Sequence, residues 1–339
     1  MSSHIFLTII AFTISTIATI WLVPFVIKWH KYKNLVATDM NKLDKRKIPG
    51  LGGIALLLSF FFALSTIIAL KMLFNIDGID LKLLLPGILS IIIMAFVGIT
   101  DDILMFPIRP IKPVLALLAS IPMMTIAYNQ GGIFNIPLLG SIDLHFVYPL
   151  IIVPLIIVFV SNAINIMADF DGLTPGNGLI ISISLFICAY LSNQPTAMII
   201  FATVGGTLLI FYFFNKFPAK IFTGNVGTLF VGSAIAVGAV LGNLKYPLII
   251  LMIPYAIHLI LQQRITWDRK TIKTRPRERG VIDRKGYLRS EYKKAYGLTH
   301  LVMQKFKGVT EKKLVYILMA TEGFCALAAI TFHIININR

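Results

Sequence analysis

Residues 82–102, KLLLPGILSIIIMAFVGITDD, run without a charge from Leu83 to Thr100 and then end on two adjacent carboxylates, Asp101 and Asp102. A bilayer core about 30 Å thick is crossed by roughly 20 helical residues, so this stretch reads as a membrane span with a charged mouth. Working outward, runs of similar character cover 5–27, 51–74, 113–128, 147–162, 177–192, 197–214, 225–243, 246–263 and 314–336. The expected fold is therefore an all-α polytopic membrane protein of about ten transmembrane helices, a single domain over 1–339. The first run is too long for a signal-peptide core and lacks a small-residue cleavage site, so it is expected to be retained.

Composition supports this. Of 339 residues, 57% are hydrophobic and 14% charged, whereas soluble chains are about one quarter charged. A soluble enzyme, a disordered chain and a disulfide-stapled secreted domain are excluded. Cys188 and Cys325 both sit in apolar runs and read as core residues. The net charge of +16 is distributed unevenly. With ten spans, 27 of the 31 Lys and Arg fall in the loops after odd-numbered spans, which places those loops in the cytoplasm and both termini outside. The segment 129–146 alternates apolar residues around Leu139–Gly140 and reads as a small external hairpin.

Polar chemistry gathers on the cytoplasmic loops. Carboxylates at a helix C-terminus oppose the macrodipole, so Asp101 and Asp102 point to proton removal or cation binding rather than capping. After the fifth span, Asn162 and Asn165 lie three residues apart, followed by Asp169 and Asp171, with no basic residue in that loop. Such hard oxygen donors suit Mg²⁺ held together with a substrate phosphate. Gly224-Asn225-Val226-Gly227 precedes a helix, where backbone N–H groups can meet an anion. Lys47-Ile48-Pro49-Gly50-Leu51-Gly52-Gly53 admits close backbone or ligand approach at the start of the second span. The long basic loop 264–313 holds 16 of the 31 cations, with Arg275, Arg277 and Arg279 at its centre. Arginine forks suit phosphates, and the outlying lysines suit anionic lipid. Nucleic acid is disfavoured, because the loop carries no recognisable module.

These loops, in this order, resemble the polyprenyl-phosphate N-acetylhexosamine-1-phosphate transferase family over nearly the whole chain. Asp39-Met40-Asn41-Lys42, the Asp101–Asp102 pair, Asn162-Ala163-Ile164-Asn165-Ile166 and Asp171-Gly172-Leu173 are closest to its dolichyl-phosphate branch. No histidine falls in 264–299, which sets the chain apart from the branch acting on the muramyl-pentapeptide. The resemblance implies transfer of GlcNAc-1-phosphate, or a related N-acetylhexosamine-1-phosphate, from a UDP-sugar to polyprenyl or dolichyl phosphate. UMP is released, and the product is the first lipid-linked intermediate for N-glycosylation. It further implies that Asp101 takes a proton from the lipid phosphate, with Asp102 and Lys112 supporting and Arg109 a rival to Lys112. Asp39, Asn41, Lys42, Asn162, Asp171, Gly172, Asn177, Arg277 and Arg279 would bind substrate, and Asn165 and Asn225 would ligate Mg²⁺, with Mn²⁺ as an alternative. The protein would act from the cell membrane, or the ER membrane in a eukaryote, with membrane lipid around it and a homodimer left open.

Three features depart from the family pattern. Asn225 stands where a metal-binding Asp is expected, so the site loses one negative charge. Glu278 separates Arg277 from Arg279, and Glu322 lies in the middle of the last span, where an uncompensated charge is costly. Two alternatives accompany the leading expectation: a degenerate paralogue that binds without turnover, motivated by Asn225, and a transporter, motivated by the helix number alone.

Overall fold

A computed structural model describes residues 3–104, 111–127, 132–136, 140–267 and 279–337. It is an all-α polytopic membrane protein. Among the described residues, eight segments are long and apolar enough to cross a bilayer: α1 (Ser3–Tyr32), α2 (Gly53–Phe74), α3 (Leu81–Leu104), α5 (Val153–Ile166, entered through a π-helical turn from Tyr148), α6 (Leu173–Leu191), α7 (Pro195–Asn215), α8 (Gly224–Leu241) and α12 (Glu311–Ile337).

The other two expected spans differ in kind. α4 (Ile111–Ala127) is too short for a full straight crossing. The ninth is broken at Met252 into α9 (Lys245–Leu251) and α10 (Ile253–Trp267), bent by 52°. The expected hairpin is present as β3 (Ile133–Ile136) paired antiparallel with β4 (Gly140–Asp143). Two elements went unforeseen: a hairpin of β1 (Val36–Thr38) with β2 (Lys47–Pro49) in the first loop, and a small unit inside the basic loop. That unit comprises β5 (Val281–Ile282), β6 (Leu288–Arg289) and α11 (Leu298–Lys305).

α8 forms the centre, buried at every residue from Val226 to Leu241, and packs against α2, α3, α5, α6 and α7. A helix apolar on every side is stable only when enclosed by others. Around it the bundle is inside-out relative to a soluble protein: Trp21, Leu73, Phe96 and Phe324 point outward, as lipid requires. Close packing at the α8 N-terminus rests on glycine. A Cβ at Gly53 would lie 2.1 Å from the Gly227 nitrogen, and one at Gly98 would lie 2.6 Å from the Val226 Cα. Small residues let membrane helices approach in this way, and here they join three helix ends at one point.

The two ends of the bundle are distinct. Ser3 donates to the Asp77 carbonyl between α2 and α3, while His333 near the C-terminus meets Ser192 between α6 and α7. Both termini therefore share an end with the even-numbered connections. At the opposite end the odd-numbered connections meet. There Phe222 N–H donates to the Pro49 carbonyl, and Gly52 and Gly53 N–H donate to Phe222 and Thr223. Glu322 is fully buried in α12, and neither of its carboxyl oxygens has a hydrogen-bond partner among the described residues.

Candidate active site

At the end where the odd connections meet, a cavity of about 340 Å³ opens between the β1–β2 loop, the α5–α6 loop and the start of α8. Asp39, Asn41, Asp102, Asn165, Asp171, Asn225 and Arg279 line it, all of them expected site residues. Asp169, Asn215, Phe222 and Thr228 line it too.

Asp102 closes one wall by gripping the start of α8. Its Oδ1 accepts the Asn225 N–H and its Oδ2 the Val226 N–H, each at 2.9 Å. These are the donors a helix leaves orphaned at its N-terminus, and a carboxylate complements the dipole there. Gly224 reaches the required turn at φ +70°, where a Cβ would lie 2.9 Å from the Asp102 Oδ2. Asn165, from the end of α5, donates its amide to the Asn225 Oδ1 at 2.7 Å and to the Thr228 Oγ1 at 2.6 Å. Asp102, Asn165 and Asn225 thus form one connected wall.

The opposite wall is ionic. The Lys42 ammonium meets Asp171 Oδ2 at 2.8 Å, Asp39 Oδ2 at 3.2 Å and the Glu311 carboxylate, and stands 4.5 Å from the Phe217 ring centroid. Glu311, the first residue of α12, also accepts the Asp171 N–H at 2.9 Å through Oε1. Asn41 donates to the Asp169 carbonyl at 2.7 Å, which ties the first loop to the α5–α6 loop. Burial works against the Lys42 charge, but Glu311 and Asp171 outweigh it and hold the ammonium above its ordinary pKa. With one cation among three carboxylates, burial pushes the Asp171 carboxyl up, against the pull of Lys42 and of the Ala219 N–H.

Several expected residues stand elsewhere. Asp101 is 4% exposed and outside the lining, because neighbours on a helix point about 100° apart and Asp102 takes the cavity side. Lys42 is 7% exposed and bound up in the ionic wall rather than offered to the cavity. Asn162 donates to the Val158 carbonyl of its own helix, one turn deeper than Asn165. Asn177 is buried in α6, bonded to the Tyr255 hydroxyl at 3.3 Å. Gly172 does not face the cavity; at φ +85° it starts α6 and donates to Asn215 Oδ1 at 3.0 Å. Lys112 lies in the first turn of α4. Arg109, Arg277 and Glu278 lie outside the described residues.

The site also contains residues that sequence reasoning passed over. Glu311 is the one acid in the basic stretch 305–313, a usable signal in hindsight. Asn215 fixes Gly172 and, through Nδ2, the Ile221 carbonyl, so it links the α5–α6 and α7–α8 loops. Phe222 supplies an aromatic face, but one Phe among 24 carries no signal.

For Mg²⁺, the donor set is of the right chemistry: carboxylate and amide oxygens from Asp102, Asn165, Asn225 and Asp171 border one cavity. Among the described residues there is no cluster of three or more His, Cys, Asp or Glu positioned as a metal centre, so amides and substrate oxygens would have to complete the shell.

The membrane bundle thus carries at one end a polar cavity walled by acids and amides, with an arginine in its lining, a donor set of the kind that suits a phosphorylated ligand. Residues 84–243 match the model of glycosyl transferase family 4. A protein of Saccharolobus solfataricus, provisionally named UDP-N-acetylglucosamine–dolichyl-phosphate N-acetylglucosaminephosphotransferase, is 34% identical over 329 residues, 95% of this chain and 94% of that one. Its namesake in Sulfolobus acidocaldarius is 32% identical, with 97% and 96% covered. Phospho-N-acetylmuramoyl-pentapeptide-transferase of Streptococcus pyogenes is 29% identical over 74% of this chain and 78% of its own. The chain belongs to glycosyl transferase family 4, within its polyprenyl-phosphate N-acetylhexosamine-1-phosphate transferases. This membership displaces the transporter alternative.

Proposed function

We propose that the protein transfers GlcNAc-1-phosphate from UDP-GlcNAc to dolichyl or a related polyprenyl phosphate, with Mg²⁺ as cofactor and the cavity facing the cytoplasm. The observation that carries the reading is the single cavity that Asp102, Asn165, Asn225, Asp171 and Arg279 share, in a chain 34% identical over nearly its full length to a protein named for that activity. The cytoplasmic orientation rests on the basic residues of the same end.

In the proposed reaction an oxygen of the lipid phosphate attacks the β-phosphorus of UDP-GlcNAc. The bond from that phosphorus to the α–β bridging oxygen breaks, and UMP leaves with the electron pair. Phosphoryl transfer needs in-line positioning and neutralised charge more than covalent help. Bound Mg²⁺ would neutralise charge on the diphosphate, held by Asn165 and Asn225 with Asp102 adjacent. Arg279 faces the cavity as the cation for a phosphate, and the polar wall of Asp39, Asn41 and Asp171 offers acceptors to a nucleoside. Asp102, which lies on the cavity side, acts by holding the start of α8 and with it Asn225 in place beside the acceptor phosphate. Asp101 supports it through the charge of the pair.

The test is UMP release from proteoliposomes given UDP-GlcNAc, Mg²⁺ and dolichyl phosphate. Turnover is expected, with Asp101→Asn lowering it at least about tenfold, a floor beneath the roughly 100- to 10,000-fold that a positioned acid–base group contributes. No UMP with any UDP-N-acetylhexosamine would sink the proposal and leave the binding-only paralogue. Full activity in Asp101→Asn would remove that residue from the mechanism.

A further inference from the structure

A second polar cavity, of about 100 Å³, lies between the end of α7 and the start of α12. Lys216 and Lys312 line it with the rings of Tyr212 and Tyr316, and the Tyr212 hydroxyl is turned to the Met319 sulfur at 4.0 Å. Asp171 forms its inner wall and is the one residue it shares with the larger cavity. That carboxylate is already bound by Lys42 at 2.8 Å and by the Ala219 N–H at 3.0 Å. The two lysines at the mouth, by contrast, have no acidic partner among the described residues, and both are exposed.

The surroundings have the character of a membrane interface. Lys216 stands 4.7 Å from the Phe213 ring, Lys312 5.8 Å from Tyr316 and Lys313 4.6 Å from Phe306. Phe213, Tyr316 and Phe306 are themselves exposed. Aromatic rings interleaved with lysines at the ends of spanning helices are what the headgroup layer favours, since the rings sit at headgroup depth and the ammonium groups reach phosphates. The positive end of the α12 dipole points to the same place.

We propose that this cavity binds the headgroup phosphate of an anionic membrane phospholipid, with Lys216 and Lys312 as its counter-ions and the Tyr316 hydroxyl as a donor. The space fits a phosphate and little more. The acyl chains would lie on the lipid-facing side of α7 and α12. The acceptor lipid is a different ligand, because Asp171 and the Lys42 cluster separate this cavity from the one where transfer is proposed.

The test uses the full-length protein in neutral detergent, titrated with phosphatidylglycerol and followed by native mass spectrometry and by its thermal midpoint. A retained lipid and a raised midpoint are expected. Each of Lys216→Gln and Lys312→Gln should weaken lipid affinity about fivefold, the value of one near-surface charge. The Lys216→Arg/Lys312→Arg double variant should keep most of the binding, which guards against a folding defect. The control Lys31→Gln/Lys33→Gln should leave it unchanged. An equal loss in that control would overturn the proposal, as would undiminished binding in the double Gln variant. Inorganic phosphate matching the lipid's effect at equal concentration would show a free-anion site. A raised KM for polyprenyl phosphate in the double Gln variant, measured in neutral lipid, would show the acceptor site. Either result overturns the phospholipid assignment.

Discussion

Replacing Asp102 by Asn removes one of two carboxylate oxygens that grip the first turn of α8. Both bonds are 2.9 Å long, from the Asn225 and Val226 N–H groups. A hydrogen bond to a charged group contributes about 1.5–3 kcal/mol and a neutral one about 1 kcal/mol. The carboxylate therefore holds the turn with about 4 kcal/mol, whereas an asparagine carbonyl keeps one neutral bond and turns its NH₂ toward the other donor. Asp102 stands at the cavity rim, partly exposed, so solvent recovers some of the difference and a net loss of about 2 kcal/mol is expected.

That loss is local to the start of α8, where 2 kcal/mol means roughly thirtyfold more frequent opening. Hydrogen exchange followed by mass spectrometry, on a fragment spanning 222–230, should therefore speed up about thirtyfold in Asp102→Asn, while fragments of α6 and α7 hold their rates. UMP release should fall at least tenfold with it, because Asn225 and Thr228 both lose their placement opposite Asn165. If activity collapses while exchange at 222–230 is unchanged, Asp102 acts on the substrate and not through α8. If neither changes, the grip on α8 has no functional weight.

Two further perturbations test the remaining walls. Asn225→Asp keeps an acceptor for the Asn165 amide and adds a charge beside the proposed metal. At about 4 Å a charge pair is stabilised by about 1 kcal/mol in bulk water and more in a protein, so the Mg²⁺ concentration for half-maximal UMP release should fall at least about fivefold. An unmoved Mg²⁺ requirement would remove Asn225 from the metal site. Lys42→Met leaves Asp39, Asp171 and Glu311 buried without their cation, at an expected cost of about 3–5 kcal/mol read as a lowered thermal midpoint. Adding Glu311→Gln should recover part of it, and an additive double variant would refute the cluster. The pH dependence has a definite sign. Since Lys42 is held above its ordinary 10.5, its contribution is complete below that pH and is lost only as pH climbs through the higher folded value, so the wild-type midpoint should show no Lys42 transition up to pH 10.5.

The sequence revealed the spans better than it revealed which residue of a span faces inward, and α3 shows why. In a soluble helix the polar face marks the outside, but a lipid-embedded helix is apolar all round, so hydropathy locates the segment without fixing its rotation. What does record the rotation is residue size. Gly87, Ala95 and Gly98 are all buried, and they lie on the side that also buries Asp101 against the bundle, leaving Asp102 to turn toward the cavity. The loops were legible for another reason: Asp39, Asn41, Asn165, Asp171 and Asn225 are polar where the chain had no structural need of polarity, and all five line the cavity. Glu311 could not be placed with them by spacing, since 140 residues separate it from Asp171, whose N–H it accepts. A contact of that separation is set by how α12 returns to the bundle, which no local pattern encodes. Its one trace in the sequence is electrostatic, an acid among lysines at the mouth of a membrane helix, and the partner it needed was a lysine that the other loops had already surrounded with carboxylates.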